Sequence, residues 1–292
     1  LTTLKLILRD LPFPINQITS LAGGRINYIY KFTVRGNKIP LVLRVARHSD
    51  IQSLQYEIRF HNELQRQGLD CPSVIPFPNG ELIHFIRDAV TGKRFPCILL
   101  QFIDGNYPQK EEHMEVVGKS IALLHKVNVP DFARQRSGFN VDVLKQRDIP
   151  SDIANVLAKD MKFYWEKIEE ERKGLDIGLC HGDLFPQNTL IKGERLYFLD
   201  FENMGRDFVL LDLGMALFGM ATQFSAEIDE RKAYRLLEAY LQVNPLTDGH
   251  IRLLPVLVGL AGIKISLWRH QFWPEAWERS LIAANKWFSY QF

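Results

Sequence analysis

The sequence predicts an α+β fold of two lobes, a small strand-rich one followed by a larger helical one. Three observations predict it. The chain has 292 residues, 46% of them hydrophobic and 24% charged, enough apolar material for two packed cores. Its first third alternates in the two-residue period of strands, with one helical stretch. Beyond "DGNYP", residues 104–108, the period is mostly helical. The expected division is therefore 1–103 and 104–292, with a cleft between the two parts.

In order, residues 18–46 carry β-branched and aromatic alternation broken by "GG" and "RGNK" turns. Residues 51–67 read as a helix stopped by Gly68, with Pro72 beyond. "ELIHFI" and "PCILLQFI" flank a turn and make a hairpin. Helices are expected over 111–127, 151–173, 207–222, 226–243 and 250–272. Between them, 177–201 reads as two short strands flanking "KGER".

Bulk properties exclude several classes. A net charge of +2 gives no basic field for nucleic acid. Cys71, Cys97 and Cys180 are few and far apart, which fits a reducing compartment and offers no zinc spacing. No signal-peptide pattern follows Leu1, so the expected location is cytoplasmic. The most apolar run, residues 253–268, contains Pro255 and Lys264 and reads as a buried helix rather than a membrane span.

"CHGDLFPQNTLIKGERLYFLDFE", residues 180–202, carries the chemistry. His-x-Asp-Leu-x-x-x-Asn, followed a dozen residues later by Asp-Phe, is the layout of phosphotransferase catalytic loops. Asp183 would accept the proton of an attacking hydroxyl. Asn188 and Asp200, at the two ends of a rigid hairpin, would hold Mg²⁺ on the nucleotide phosphates. His181 reads as a loop prop. A Cys180–His181 nucleophilic pair is disfavoured, because neighbours on an extended segment point to opposite faces. Asp212 either caps the helix beginning near Leu213 or reaches back to the catalytic-loop backbone. His125 reads as a core histidine.

Upstream, the strand "LVLRV" puts Val42 and Arg44 on one face, the offsets at which kinases place a small residue under adenine and a cation on the phosphates. Here Arg replaces the usual Lys. The next helix aligns Glu57, Phe60, His61 and Leu64 on one stripe, and a carboxylate facing inward needs a partner. Arg44 is the natural one. Gly23 and Gly24 would let a loop approach the phosphates closely. Gln101, Phe102 and Ile103, closing the last strand before the boundary, complete the expected nucleotide-binding set.

"HGDLFPQN", "LDFE", "DLGMAL" and "GKSIALLH" together resemble the aminoglycoside phosphotransferase and choline kinase-like superfamily, over roughly residues 20–272. The resemblance implies a protein-kinase-like two-lobe fold. It also implies transfer of phosphate from ATP or GTP, with Mg²⁺, to a small-molecule hydroxyl acceptor. Within the superfamily, "HGDLFPQN", "LHKVNVPDFARQRSGFNVDVL" and "LPVLVGLAGIKISLWRH" are most similar to type II homoserine kinases. One departure is Phe201-Glu202-Asn203, where those kinases tend to have Phe-Tyr.

Rival readings are a choline, ethanolamine or aminoglycoside phosphotransferase, a Ser/Thr protein kinase-like regulator, and a non-catalytic nucleotide-binding protein. There is no Ala-Pro-Glu segment and little room for an activation loop before Asp212, which counts against the regulator. Asp183, Asn188 and Asp200 are all present, which counts against the non-catalytic reading. On the acceptor side, the helical region offers Lys264 and Arg269, Glu227 and Asp229, and Trp268, Phe272 and Trp273. A cation there for a carboxylate and an acid for an ammonium would suit homoserine or another amino alcohol.

Overall fold

The structure, a computed structural model, describes residues 10–21, 27–46, 51–87, 92–136, 168, 174–222, 225–273 and 276–292. By internal contacts the chain forms two units, Leu1–Asn106 with Tyr197–Glu202, and Tyr107–Leu196 with Asn203–Phe292.

The first unit is built on an antiparallel sheet. Strands β1 (Ile15–Ser20), β2 (Tyr28–Val34), β3 (Leu41–Val45) and β6 (Arg94–Gln101) pair in that order, and β4 (Val74–Ile75) and β5 (His84–Arg87) both pair with β6. Alternation sorts the side chains. Tyr30, Phe32, Leu43, Val45, Cys97 and Leu99 fill one core. Ala46, Ile98 and Leu100, with Val42 against them, pack with Leu54 and Ile58 of helix α1 (Ile51–Arg66) in the other. Gly68, at φ 81°, ends α1 in a Schellman turn: Leu69 N–H donates to Leu64 O at 2.9 Å and Gly68 N–H to Gln65 O at 3.0 Å.

The second unit is mostly helical. It contains α2 (His113–Lys126), β7 (Ile177–Cys180), a 3₁₀ turn (Pro186–Asn188), β8 (Thr189–Lys192) and the start of β9 (Arg195–Phe198), which pairs with β8. β10 (Gly205–Phe208), α3 (Val209–Thr222), α4 (Glu230–Val243), α5 (Asp248–Phe272) and α6 (Trp277–Phe288) follow. Glycines set the helix approaches. A side chain at Gly214 would press on the Leu257 and Val258 backbone, and one at Gly262 would collide with Phe218. Trp287 of α6 is fully buried.

Three features differ from the periodicity. Residues 207–208, expected to start a helix, end the strand 205–208, because it pairs antiparallel with β7. The final helix, α6, was not anticipated. α4 starts at Glu230 rather than 226, since Asp229 caps it by accepting from Lys232 N–H. The expected helix over 151–173 falls outside the described residues except for Ile168. α5 is long and apolar enough to cross a membrane, yet 72% of its most apolar segment is buried within the protein.

Candidate active site

In the second unit, β7 delivers the chain to the His181–Asn188 loop. Gly182 has φ 81°, and a Cβ there would lie 2.1 Å from Arg136 Nη1, so this turn requires glycine. Leu184 and Phe185, just after the turn, are buried and anchor the loop. Asn188 Nδ2 donates to Asp183 Oδ2 at 2.7 Å and to Asp183 O at 2.8 Å. A carboxylate only accepts, so the amide nitrogen must face Asp183, which turns Asn188 Oδ1 away as an oxygen donor. Burial pushes the Asp183 carboxyl above its ordinary range, against the lowering effects of His181 and the Asn188 bond.

Asp212 holds this loop from behind. Its oxygens accept from His181 N–H and Gly182 N–H, each at 2.7 Å, and lie 3.2 Å from His125 Nε2. Of its two expected roles, the structure shows the reach back to the loop. His125 Nε2 carries the proton it gives to Asp212, while Nδ1 lies 2.9 Å from the Tyr240 hydroxyl, which accepts from Asn244 at 2.9 Å. Burial opposes the Asp212 charge, but the His125 bond and nearby cations outweigh it and bring its pKa down to about 2. His125, Cys180 and Asp212 lie close enough to hold a metal. The carboxylate is already committed to the loop, however, and burial raises the Cys180 thiol far from thiolate formation. This is a structural brace.

In the first unit, Arg44 of β3 is buried and pairs with Glu57 of α1. Its other guanidinium nitrogen bonds Glu202 and lies 3.4 Å from Asp200 Oδ1. Asn27 Nδ2 donates to the same Glu202 oxygen at 3.0 Å. Burial disfavours the Arg44 charge, yet Glu57, Asp200 and Glu202 more than compensate, and its pKa rises. Burial likewise opposes ionised Glu57, and Arg44 first, then His61, reverse that and lower it. Phe201 is fully buried edge-on to His61, ring centroids 4.5 Å apart, and so ties the Asp200–Glu202 segment to α1. Asp200 is the one described non-glycine residue in the left-handed region, at φ 62°.

Of the other expected nucleotide contacts, Val42 faces the α1 side of the sheet and Ile103 is buried. Lys31 Nζ lies 3.8 Å over the Phe102 ring, and Gln101 is exposed with Oε1 3.5 Å from Ser73 N. Gly23 and Gly24 fall outside the described residues.

The acceptor-side expectations need correction. Arg269 is buried and donates to Ser280 Oγ, Asp229 is a helix cap paired with Lys232, and Glu227 pairs with Lys286. These three brace helices. Trp268 and Trp273 are half-buried, and the Phe272 side chain is outside the described set. Lys264 differs: it is exposed, and it interacts electrostatically with Asp183, Asp207 and Asp212. Glu202, Asn27 and Arg136 were not picked out by sequence reasoning. Only Glu202 carried a signal, its place two residues after Asp200.

A buried Arg–Glu pair on a five-stranded path and an Asp–Asn loop braced by a second aspartate define a kinase-like phosphotransferase. The phosphotransferase enzyme family matches residues 17–249, and the chain belongs to it. It is a small-molecule kinase acting on a hydroxyl group. Among its relatives, homoserine kinase from Agrobacterium fabrum is 26% identical over 255 residues, 83% of this chain and 76% of that protein. Homoserine kinase from Brucella ovis is 24% identical, over 89% of this chain and 82% of that protein. Solved structures share the fold. A microcompartment-associated aminopropanol kinase superposes with TM-score 0.77 at 16% identity, covering 99% of this chain and 97% of that one. Amicoumacin kinase in complex with AMP-PNP gives 0.73 at 19%, covering 98% and 91%.

Proposed function

We propose that the protein transfers the γ-phosphate of ATP to the primary hydroxyl of homoserine. In this reading residues 1–103 bind nucleotide, residues 104–292 carry the base and the acceptor, and the enzyme works in the cytoplasm. The observation that carries the chemistry is the clasp of Asn188 on Asp183. It aims one carboxylate, and burial, against the lowering effect of that bond, keeps the carboxylate basic, as a group taking a proton from an alcohol must be. The homoserine kinase relatives support the acceptor.

Asp183 orients the hydroxyl and accepts its proton as the oxygen attacks. Arg44, steadied by Glu57, points a permanent charge toward the phosphates. Asn188 Oδ1 and the Asp200 carboxylate are hard oxygen donors of the kind Mg²⁺ takes, and they would hold it. When bound, the ion neutralises charge on the phosphates. Val42, Gln101, Phe102 and Ile103, with Gly23 and Gly24, would receive the nucleotide.

The test is ADP release with Mg-ATP and homoserine, choline, ethanolamine or kanamycin. Homoserine turnover well above the others is expected, and Asp183→Asn should cut kcat by roughly 10²–10⁴. Choline turnover far above homoserine would overturn the acceptor and leave the kinase. Near-normal turnover by Asp183→Asn would overturn the base.

A further inference from the structure

The homoserine reading leaves open which groups of this chain recognise the acceptor. Composition offered Lys264 and Arg269 as cations, and Arg269 is spent on Ser280. Lys264 is the one exposed residue between Leu253 and His270 of α5, a stretch otherwise buried or half-buried. Its electrostatic neighbours place it beside the catalytic loop: Asp183, Asp207 and Asp212 on one side of the balance, Arg136 on the other.

Arg136 comes from a different part of the unit. Its backbone N–H donates to Arg206 O at 2.9 Å, and Arg206 N–H donates to Arg134 O at 2.9 Å, so segment 134–136 lies along β10. Two glycines open a path for its side chain. A Cβ on Gly205 would sit 2.9 Å from Arg136 Cγ, and one on Gly182 would sit 2.3 Å from Arg136 Cζ. The stem therefore passes over Gly205, and the guanidinium rests on Gly182, the residue before the catalytic aspartate. A side chain on either glycine would displace this arginine, and at Gly205 it would also meet the Arg134 carbonyl oxygen at 2.7 Å.

Two cations beside Asp183 weaken it as a base, since both favour its ionised form. They also repel each other. Among the described residues, neither makes an ion pair that would explain its position. Both costs fall when an anion sits between them.

We propose that Arg136 and Lys264 form an anion-binding half-site next to Asp183, so that the acceptor is a small hydroxy acid held by its carboxylate. The guanidinium provides a planar fork and the ammonium a point charge, together fixing the hydroxyl's direction toward Asp183. This rests on the kinase reading and narrows its acceptor to molecules bearing a carboxylate. Amino alcohols that lack one would leave both cations unanswered.

The experiment uses the full chain with Mg-ATP and three probes: homoserine, 3-amino-1-propanol, which lacks the carboxylate, and 4-hydroxybutyrate, which lacks the ammonium. Wild type should prefer both carboxylate-bearing probes over 3-amino-1-propanol. Lys264→Gln and Arg136→Gln should each raise KM for the carboxylate probes roughly tenfold or more, the usual effect of losing a charge-assisted hydrogen bond. KM for ATP should stay within about twofold, and Arg136→Lys should recover part of the loss. Lys264 is exposed, so its substitution leaves the fold intact, and a melting curve checks this. Preference for 4-hydroxybutyrate over homoserine would end the homoserine reading and sustain the half-site. Preference for 3-amino-1-propanol, turnover of neither carboxylate probe, equal losses on all probes, or a rise confined to the ATP KM would each overturn it.

Discussion

The two units each bury a charged centre, and the two centres are finished to different degrees. Around Asp212, one carboxylate meets two backbone N–H groups and His125, and the histidine is held in turn by Tyr240. Every partner is supplied by the chain itself. Around Arg44, one cation meets three carboxylates, Glu57, Asp200 and Glu202. Asp200 and Glu202 remain partly accessible, with side-chain exposures of 39% and 23%. The first centre is a closed brace, and the second keeps two carboxylates within reach of solvent. A brace shows itself in stability, and an accessible site shows itself in what it binds.

The largest expected effect comes from breaking the Arg44 centre at its cation. Arg44→Ala strands Glu57 inside the protein without its partner, which typically costs ~3–5 kcal/mol. Denaturant unfolding at neutral pH measures it, and a loss under ~1 kcal/mol would contradict the buried pair. Arg44 and Glu57 substitutions should also couple in a double-mutant cycle, since they touch.

Next is Asp212, where pH is the probe. Its folded pKa of about 2 lies below the ordinary aspartate value of 3.8. A depressed carboxyl contributes stability above its unfolded pKa and loses it as pH falls through the folded one. The contribution is ~2 kcal/mol at neutral pH and should fade between roughly pH 4 and 2. Asp212→Asn should be less stable by about that amount at pH 7 and flatter across the acid range. Equal acid slopes in the two proteins would remove Asp212 from the brace.

Ligand separates the centres more finely. Mg²⁺ should strengthen ATP binding in wild type and raise the melting temperature with concentration. In Asp200→Asn that Mg²⁺ dependence should be lost, whereas Asp212→Asn should retain it. Retention of full Mg²⁺ dependence by the Asp200 variant would exclude Asp200 as a metal donor.

How much of this was legible follows from where the partners lie in the chain. Asp183 and Asn188 lie five positions apart in one loop, and their residue types announce a catalytic pair, though not the bond of one to the other. Arg44 and Glu57 could be paired because a strand face and a helix stripe are both periodic. Asp212 kept two readings, because a carboxylate at a helix start looks the same whether it caps that helix or braces a loop thirty residues away. The acceptor side was read least well. Helical composition says that Arg269, Asp229 and Glu227 are present, but not that Ser280, Lys232 and Lys286 will engage them. Arg136 was beyond reach, since its position depends on pairing between segment 134–136 and β10, which was not read as a strand.

The smallest effect sharpens the comparison most. Glu202 takes bonds from Asn27 and Arg44 through the same oxygen. Glu202→Gln keeps an oxygen there and removes only the charge, and a partly exposed pair of this kind is worth ~1 kcal/mol or less. Stability should barely change. Arg44, now shared between two carboxylates instead of three, should be freer to attract phosphate. The nucleotide KM should therefore fall by about two- to fivefold, within that ~1 kcal/mol, with kcat near wild type. Glu57→Gln should act in the opposite direction, loosening Arg44 from α1 and lowering kcat. Initial-rate kinetics over a range of ATP at fixed Mg²⁺ reads both. A Glu202→Gln enzyme as inactive as Asp200→Asn would mean that Glu202 holds metal rather than restraining Arg44.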